Sequence, residues 1–408
     1  MTAAVSLVVW LYLVFLRGGF WRAGERLGED GPARSPWPGV VALVPARDEA
    51  EVIGRSLTSL LSQDYPGHLD IVLVDDHSSD GTAEAAARAA QSSGRAALLT
   101  IVAAPPLPPG WSGKLWALAQ GLERAATHSP GAAYLWLSDA DIEHAPDNLR
   151  RLVAKAEAEG RDLVSLMVAL SCRGLWQRLL LPAFIYFFQM LYPFAWVNDP
   201  KRATAAAAGG CILVRREALE RAGGFASIKG ELIDDCALAR RIKGLAPRGG
   251  ARQDAGGSGH GMPGGIWLGL ATTAHSIRPY RGLGDIWRMV ARSAYTQLGN
   301  SPLLLAGALL AMAGTFLIPP LVVLGLPLHG ATGAALLGLC AWSLIGLSAR
   351  PTLRLYGQPG WLAALLPLAA ALYCAMTLDS ALRHWRGRGG AWKGRVHSAK
   401  VEPERPGG

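Results

Sequence analysis

Charged side chains and paired cysteines are both scarce in this chain of 408 residues. Only 17% of the residues are charged and 50% are hydrophobic, which excludes a simple soluble protein. The five cysteines are scattered and form no C-x-x-C pair, which excludes a disulfide scaffold and a cysteine zinc site. We therefore expect a membrane-associated protein whose cysteines are small buried hydrophobes in a reducing compartment.

The apolar residues collect at the two ends of the chain. The run "AAVSLVVWLYLVFL" carries no charge, precedes Arg17 and Arg22, and predicts a short membrane anchor at 1–22. A secretory signal peptide is the alternative. It is disfavoured because no basic segment precedes the run and no good cleavage site follows it. Three further runs within 301–382 reach or approach spanning length and predict transmembrane helices ahead of a basic tail at 383–408.

The basic residues lie beside the apolar runs. The formal net charge is +9, and this placement predicts anionic lipid head groups as partners and no nucleic acid. Arg17 and Arg22 put the N-terminus outside and the following domain in the cytoplasm, so the sequence predicts a multi-pass protein of the inner (plasma) membrane.

The basic tail conflicts with three full spans, which would place it outside the cell. We expect the last apolar segment, which Pro367 interrupts, to be a re-entrant or surface-lying hairpin instead of a full span. That arrangement keeps the tail in the cytoplasm, with Trp392, Lys393 and Arg395 near lipid phosphates.

Between the apolar ends, strand-like and helix-like segments alternate. "GVVALVPA", "LDIVLVDD" and "AAYLWLSDAD" are buried strand patterns, and helical spacing separates each from the next. This alternation predicts an α/β domain at 38–300 with a mainly parallel, Rossmann-like sheet, whose chemistry belongs at the carboxyl ends of the strands.

Two carboxylates follow the third of these strands. Asp139 and Asp141 are two residues apart in a segment expected to be extended, so their side chains should point to the same side. Such a pair suits Mg²⁺ or Mn²⁺, which take their remaining ligands from water and a diphosphate. The alternative is that one of them only caps the next helix.

The order of several short motifs resembles the family 2 glycosyltransferases of the GT-A fold. "VPARDEAEVI", "VDDHSSDGT", "GKLWALAQGL", "SDAD" and a later acidic pair occur in this order between about Pro38 and Asn300. Within that family, "PPGWSGKLWALAQG" and the apolar tail are most similar to the hopene-associated glycosyltransferases, relatives of the ceramide glucosyltransferases. The resemblance implies transfer of a sugar from a nucleotide-sugar.

The resemblance also implies donor-binding roles for residues after the first two strands. Pro45, Arg47 and Glu49 would line the nucleotide pocket, and Asp76 would accept hydrogen bonds from a uracil or ribose. An Asx-turn is the structural alternative for Asp76.

Three further positions match the part of the family site that meets the diphosphate. Lys114 would face the nucleotide or diphosphate from the start of a helix, although a solvated lysine is the alternative. Asp139 and Asp141 would hold the Mg²⁺ or Mn²⁺ ion that bridges the donor.

An acidic pair in "GELIDDCALARRIK" matches the Glu-Asp pair of the family, with aspartate in place of glutamate. Asp235 aligns with the general base that removes the proton of the acceptor hydroxyl, and Asp234 would orient a partner or cap the helix. Both residues would otherwise be ordinary acids of a first helical turn. Upstream, Gly209 and Gly210 would let backbone approach a bound sugar.

The Gln/Arg-x-x-Arg-Trp motif that is usual in the family is not present as such. Arg292 and Gln297 in "WRMVARSAYTQL" are loose candidates for its function. The glycine-rich stretch at 245–265 is interpreted as a flexible loop without chemistry.

An aromatic, almost uncharged segment at 175–197 predicts a helix that lies along the membrane surface. It implies a lipid acceptor. The expected function is an inverting transfer from a UDP-sugar to a lipid hydroxyl, hopanoid-related by resemblance. A polyprenyl-phosphate glycosyltransferase and a catalytically silent membrane lipid-binding module are the alternatives.

Overall fold

The computed structural model describes residues 1–28, 36–245, 265–387 and Gly389. These residues form two compact units. The sheet unit contains 27–168 and 205–278, and the helical unit contains 1–26, 169–204 and 279–389. Two segments of the predicted 38–300 domain, 169–204 and 279–300, are thus grouped with the apolar helices. The tail residues Trp392, Lys393 and Arg395 and positions 246–264 of the glycine-rich stretch lie outside the described residues.

In the described part of the chain, eight strands form one sheet. In chain order they are β1 (Gly39–Ala46), β2 (Leu69–Asp75), β3 (Leu99–Ala103), β4 (Ala132–Ser138), β5 (Ile142–His144), β6 (Leu163–Ala169), β7 (Cys211–Arg215) and β8 (Ile266–Ser276). Their order in the sheet is β3-β2-β1-β4-β7-β6-β8-β5. Strands β3, β2, β1 and β4 are parallel, whereas β7 is antiparallel to β4 and β6, and β5 is antiparallel to β8. The predicted α/β fold with a mainly parallel sheet is confirmed.

Fifteen α-helices accompany this sheet among the described residues. In chain order they are α1 (Thr2–Phe15), α2 (Ile53–Leu61), α3 (Thr82–Ser92), α4 (Gly113–His128), α5 (Asn148–Glu159), α6 (Leu175–Leu191), α7 (Phe194–Asn198), α8 (Arg216–Arg221), α9 (Asp234–Leu245), α10 (Leu283–Gln297), α11 (Pro302–Met312), α12 (Ile318–Leu324), α13 (Leu326–His329), α14 (Thr332–Leu355) and α15 (Leu366–Trp385).

Helix α4 brings its N-terminus to the carboxyl edge of the sheet. It packs on β1 and β2, and a Cβ on Gly121 would lie only 3.2 Å from Val74 and 3.3 Å from Leu43. The missing side chain therefore permits close contact between helix and sheet. At the helix start, the hydroxyl of Ser112 accepts a hydrogen bond from the backbone N–H of Leu115. This cap fixes the first turn, which carries Lys114.

Among the residues that the structure describes, three helical segments are long and apolar enough to cross a membrane. They are Pro302–Leu324, Thr332–Leu355 and Gly360–Trp385. Helix α1 has 14 residues, about 21 Å at the usual helical rise. It is therefore shorter than the roughly 30 Å hydrocarbon core that a complete span must cross.

Helix α1 is joined to the first span by a hydrogen bond to a backbone carbonyl that a proline leaves free. Pro319 has no N–H to donate to the carbonyl of Thr315, and the segment Ala313–Leu317 forms a π-helix just before it. The indole N–H of the fully buried Trp10 donates to that carbonyl at 2.8 Å. The backbone oxygen is thus satisfied inside an apolar environment, as membrane segments require.

Helix α14 runs antiparallel to the first span. A Cβ on Gly338, early in α14, would lie 2.9 Å from the carbonyl of Pro319 and 3.3 Å from Val323, late in that span. The last apolar segment then turns back along α14. The indole of Trp342 donates to the carbonyl of Ala364 at 3.2 Å, so α15 begins beside the middle of α14.

Helix α15 runs antiparallel to the first span. Ala381, near its end, packs with Leu305, near the start of α11. Farther back, Phe187 contacts both Tyr373 of α15 and Phe316 of the first span. The segment from Gly360 to Trp385 therefore enters beside the end of α14 and returns to the level at which α11 begins. Pro367 lies in the first turn of α15, where proline is tolerated, and it does not interrupt the helix.

The segment predicted at 175–197 forms α6 and α7. One face of α6 packs against the spans: the hydroxyl of Tyr186 is 2.7 Å from that of Ser348 in α14, and Leu180 accepts a hydrogen bond from Tyr373 in α15. Its packed face explains why the segment is so apolar. The location of α6 along a membrane surface stays a prediction.

Candidate active site

The sequence predicts an extended segment for the two carboxylates after β4. This prediction is wrong, because the chain turns there. Strand β4 ends at Ser138, residues 140 and 141 form a turn, and the N–H of Ile142 donates to the carbonyl of Asp139 at 3.3 Å. Because of this turn, Asp139 and Asp141 have different cationic partners. The Asp139 carboxylate lies 2.8 Å from Lys114, and the Asp141 carboxylate lies 2.6 Å from Arg278.

Lys114 joins two of the predicted acidic positions. Its Nζ lies 2.8 Å from the carboxylate of Asp139 and 3.4 Å from that of Asp234. Burial lowers the pKa of Lys114, but the charges of Asp139 and Asp234 outweigh this effect and raise it above its ordinary value. Lys114 therefore stays protonated at neutral pH. The alternative of a solvated surface lysine is wrong.

Asp235 lies in the first turn of α9 with its carboxylate turned toward backbone donors. Its two oxygens accept hydrogen bonds from the N–H groups of Gly209, at 2.8 Å, and Cys236, at 2.7 Å. Burial, and next the negative charge of Asp234, raise the pKa of Asp235 to about 6, against the opposing effect of Lys114. A carboxylate with this pKa is ionised at neutral pH and can still accept a proton readily.

The two predicted glycines have different surroundings. A Cβ on Gly209 would lie 3.1 Å from the Nζ of Lys114 and 3.4 Å from the carboxylate of Asp235. The bare backbone of Gly209 thus leaves room for both charged groups. A Cβ on Gly210 would instead lie 3.1 Å from Val168, so that glycine serves the packing of the sheet.

Arg47 and Asp76 form a pair at the ends of β1 and β2. The Arg47 guanidinium donates to the carbonyl of Asp76 at 2.5 Å and lies 3.5 Å from its carboxylate, which is fully buried. Nearby, Asp80 accepts a hydrogen bond from the N–H of Ala50. These contacts hold together the two loops that follow β1 and β2. Recognition of a nucleotide by Asp76 stays a prediction.

Arg278 is a site residue that was not predicted from the sequence. It follows β8, and its guanidinium contacts Asp141 at 2.6 Å and Glu49 at 2.7 Å. Burial raises the pKa of Asp141, and Arg278 opposes that effect. The short strand pair β5–β8 positions this contact. A basic residue shortly after a buried strand was the only available signal.

A buried polar network underneath the β4 turn was also missed. The ring of His144 lies 2.9 Å from the hydroxyl of Ser138 and 3.1 Å from the amide of Asn148. Burial lowers the pKa of His144 to about 3, so the ring is neutral. Both ring nitrogens are already engaged. His144 therefore supports the turn that carries Asp139 and is unsuited to bind a metal.

Four of these charged residues line one cleft in the sheet unit. Its charged residues come from three separate helices and loops, and apolar side chains close its other walls. Among the lining residues are Pro45, Lys114, Asp139, Gly209, Asp234 and Asp235. The structure thus brings together six predicted site residues.

Arg292 and Gln297 are not among these residues. Both lie in α10 of the helical unit, where Arg292 is exposed and the amide of Gln297 donates to the hydroxyl of Tyr192. The structure therefore gives no geometric support for their role at the cleft.

Asp139 and Asp141 could together hold a divalent cation. They are close enough for the charge of Asp139 to raise the pKa of Asp141. The described part of the chain has no cluster of three or more His, Cys, Asp or Glu side chains that would form a complete metal site. A Mg²⁺ or Mn²⁺ ion held by these two carboxylates would need its other ligands from a diphosphate and water, and this site stays a prediction.

Comparison with known families bears on this cleft. Residues 41–223 match the family described as Glycosyl transferase family 2. The matched segment includes β1, β2 and β4 and all the cleft residues up to Gly209. It ends before Asp235 and Arg278.

One curated relative is an N-acetylglucosaminyltransferase of Rhizobium leguminosarum bv. viciae. It is 33% identical over 158 residues, which are 38% of this chain and 34% of the relative. The chain therefore spans about a third of the length of that protein.

A solved structure supports the fold. The mannosyltransferase PcManGT of Pyrobaculum calidifontis, in complex with GDP-Man and Mn²⁺, superposes with a TM-score of 0.50 at 20% identity. The match covers 94% of this chain and 99% of that one. Glucosyl-3-phosphoglycerate synthase of Mycobacterium tuberculosis, with Mn²⁺, UDP and phosphoglyceric acid, matches at 18% identity over 68% of this chain and 86% of that one, with a TM-score of 0.42. The sheet unit has a GT-A-like fold, accompanied in the chain by three apolar helices.

Proposed function

We propose that this protein is a membrane-bound, inverting glycosyltransferase that moves a sugar from a nucleotide-sugar to a lipid hydroxyl. The observation that carries the proposal is the cleft itself. Within it, Lys114 links Asp139 to Asp234, and Asp235 offers a partly buried carboxylate with a raised pKa. The family match over 41–223 and the GT-A-like fold support a nucleotide-sugar as the donor.

The reaction would be a single displacement. The oxygen of the acceptor hydroxyl forms a bond to the anomeric carbon while the bond from that carbon to the diphosphate oxygen breaks. The hydroxyl proton passes to a carboxylate oxygen of Asp235, and the nucleoside diphosphate leaves. The ammonium group of Lys114 stabilises the charge that develops on the leaving diphosphate. A Mg²⁺ or Mn²⁺ ion at Asp139 and Asp141 would add further charge stabilisation.

The apolar segments outside the sheet unit support a lipid as the acceptor. Three apolar segments of spanning length would keep the enzyme at the membrane, and the apolar face of α6 packs against two of them. A hopanoid-related or sphingoid-like acceptor follows from the resemblance in sequence, and a UDP-sugar from the same source.

Lipid profiling of a deletion strain tests this function. We expect one glycolipid to disappear and its precursor, a lipid with a free hydroxyl, to accumulate. A plasmid with the wild-type gene should restore the glycolipid, and the Asp235→Asn variant should not. Loss of a polyprenyl-phosphate-linked sugar would instead support that alternative, and an unchanged lipid profile would favour a silent lipid-binding module.

We also propose that the sheet unit and the C-terminal tail are cytoplasmic. The antiparallel course of α15 supports this arrangement, because it brings Trp385 back to the level of Leu305. Basic residues mark that end: Arg350 and Arg354 lie in the last turns of α14. The opposite connection at 325–331 contains no lysine or arginine. This asymmetry agrees with the positive-inside rule.

Cysteine labelling checks the topology. In a variant without its native cysteines, Ser398→Cys should resist a membrane-impermeant thiol reagent in intact cells. Leu328→Cys, at an exposed position of the opposite connection, should react and is the matched control. Both should react after the cells are opened. Ready labelling of Ser398→Cys in intact cells would place the tail outside and refute the re-entrant arrangement.

A further inference from the structure

Each of the two carboxylates proposed to bind the cation is already paired with a cation of the protein. Lys114 lies 2.8 Å from Asp139, and Arg278 lies 2.6 Å from Asp141. Only 10% of the Asp141 side chain is exposed. A carboxylate this well buried needs a compensating charge, and Arg278 supplies it.

Arg278 is held so that it can change partners without leaving the site. Its Nε contacts Asp141, whereas its Nη2 contacts Glu49 at 2.7 Å. The backbone beneath it is fixed separately, because the N–H of Ile277 donates to the carbonyl of Asp141 at 2.9 Å. If Asp141 took another partner, Glu49 would still retain the guanidinium next to the carboxylates.

A divalent cation that binds alone must compete with these two groups. It needs the same carboxylate oxygens, and separating the partly buried pair of Asp141 and Arg278 leaves the guanidinium without one of its partners. A diphosphate changes this balance, since guanidinium and ammonium groups bind phosphate oxygens well. A dication and a dianionic diphosphate that enter together also add no net charge to the cleft.

We infer that the cation and the donor diphosphate bind by an exchange of partners. The cation takes Asp139 and Asp141, and the released Lys114 and Arg278 turn to the diphosphate. Arg278 is thus a positioning residue that makes tight metal binding depend on the nucleotide. The inference rests on the proposed nucleotide-sugar donor.

Titration of the full-length purified protein with Mn²⁺, followed by electron paramagnetic resonance, tests this exchange. Wild type should bind Mn²⁺ alone weakly, and UDP or GDP, tried separately, should strengthen binding about tenfold or more, within the usual range of coupling between two ligands. Arg278→Gln should bind Mn²⁺ alone more tightly than wild type and should lose most of the strengthening by nucleotide. Arg278→Lys keeps the charge but not the contacts with both Asp141 and Glu49. Its affinity for Mn²⁺ alone, and the strengthening by nucleotide, should lie between those of wild type and Arg278→Gln.

Arg150→Gln is the matched control. It removes an arginine that pairs with Asp64 in the same unit, at 3.2 Å, and should leave the Mn²⁺ titration unchanged. If Arg278→Gln and Arg278→Lys bind Mn²⁺ alone no more tightly than wild type, the exchange is refuted while the proposed function stands, provided that UDP or GDP binds. If neither nucleotide binds to wild type with Mn²⁺, the proposed donor fails as well.

Discussion

Replacing Asp235 with asparagine should lower turnover by about 10²-fold or more, the usual contribution of a general base. Asparagine keeps the size of the side chain and can still accept a hydrogen bond from the N–H of Gly209. It cannot accept the hydroxyl proton. Donor affinity should therefore change little, and steady-state kinetics beside equilibrium binding of the nucleotide would measure the two effects separately.

The neighbouring acid provides the control for this prediction. Asp234→Asn removes the same charge from the same cleft, yet Asp234 contacts Lys114 at 3.4 Å and accepts no hydrogen bond from Gly209 in the described structure. We expect it to weaken donor binding more than turnover. A larger loss of turnover from Asp234→Asn than from Asp235→Asn would transfer the role of base to Asp234.

The pH dependence supplies an independent readout of the same role. Asp235 must be ionised to accept the proton, and its pKa is raised to about 6. Turnover should therefore be nearly constant above pH 7 and should fall as the pH drops below about 6, because the protonated fraction increases. In Asp235→Asn, the remaining activity should lack this acidic limb.

Much of the fold could be predicted from the sequence because its signals are local. The buried runs of β1, β2 and β4 are continuous in the sequence, and acids directly follow β2 and β4, so parallel pairing was enough to place Asp76 and Asp139 on one edge. The first-turn position of Asp235 in α9 was predictable for the same reason.

The contacts that complete the site depend on tertiary structure. Arg278 meets Asp141 across 137 positions of the chain, through the antiparallel pairing of β5 with β8. No periodicity connects those two segments. Likewise, the turn after Ser138 gives Asp139 and Asp141 different cationic partners, which their spacing did not predict. The partners of Asp139 and Asp141 are therefore set by charge compensation between residues that are far apart in the sequence.

Removal of the divalent cation should be nearly as damaging as removal of the base. With excess EDTA, or with Asp139→Asn, we expect turnover to fall by about 10²-fold or more, the scale of losing one preorganised charge contact in an active site. The physical reason is that Lys114 and Arg278 would then face the charge growing on the diphosphate without the cation. Mn²⁺ or Mg²⁺ added after chelation should restore wild type but not Asp139→Asn.

Two measurements distinguish this loss from simple unfolding. Asp64→Asn, which breaks the pair with Arg150 elsewhere in the sheet unit, should keep its metal-dependent activity and binding. Asp139→Asn should retain the thermal stability of the wild type in the absence of metal to within a few degrees, because Lys114 still has Asp234 as a partner at 3.4 Å. Donor binding to this variant should no longer respond to Mn²⁺. Full wild-type activity in excess EDTA would instead mean that Lys114 and Arg278 supply all the charge stabilisation, and Asp139 would then only position Lys114.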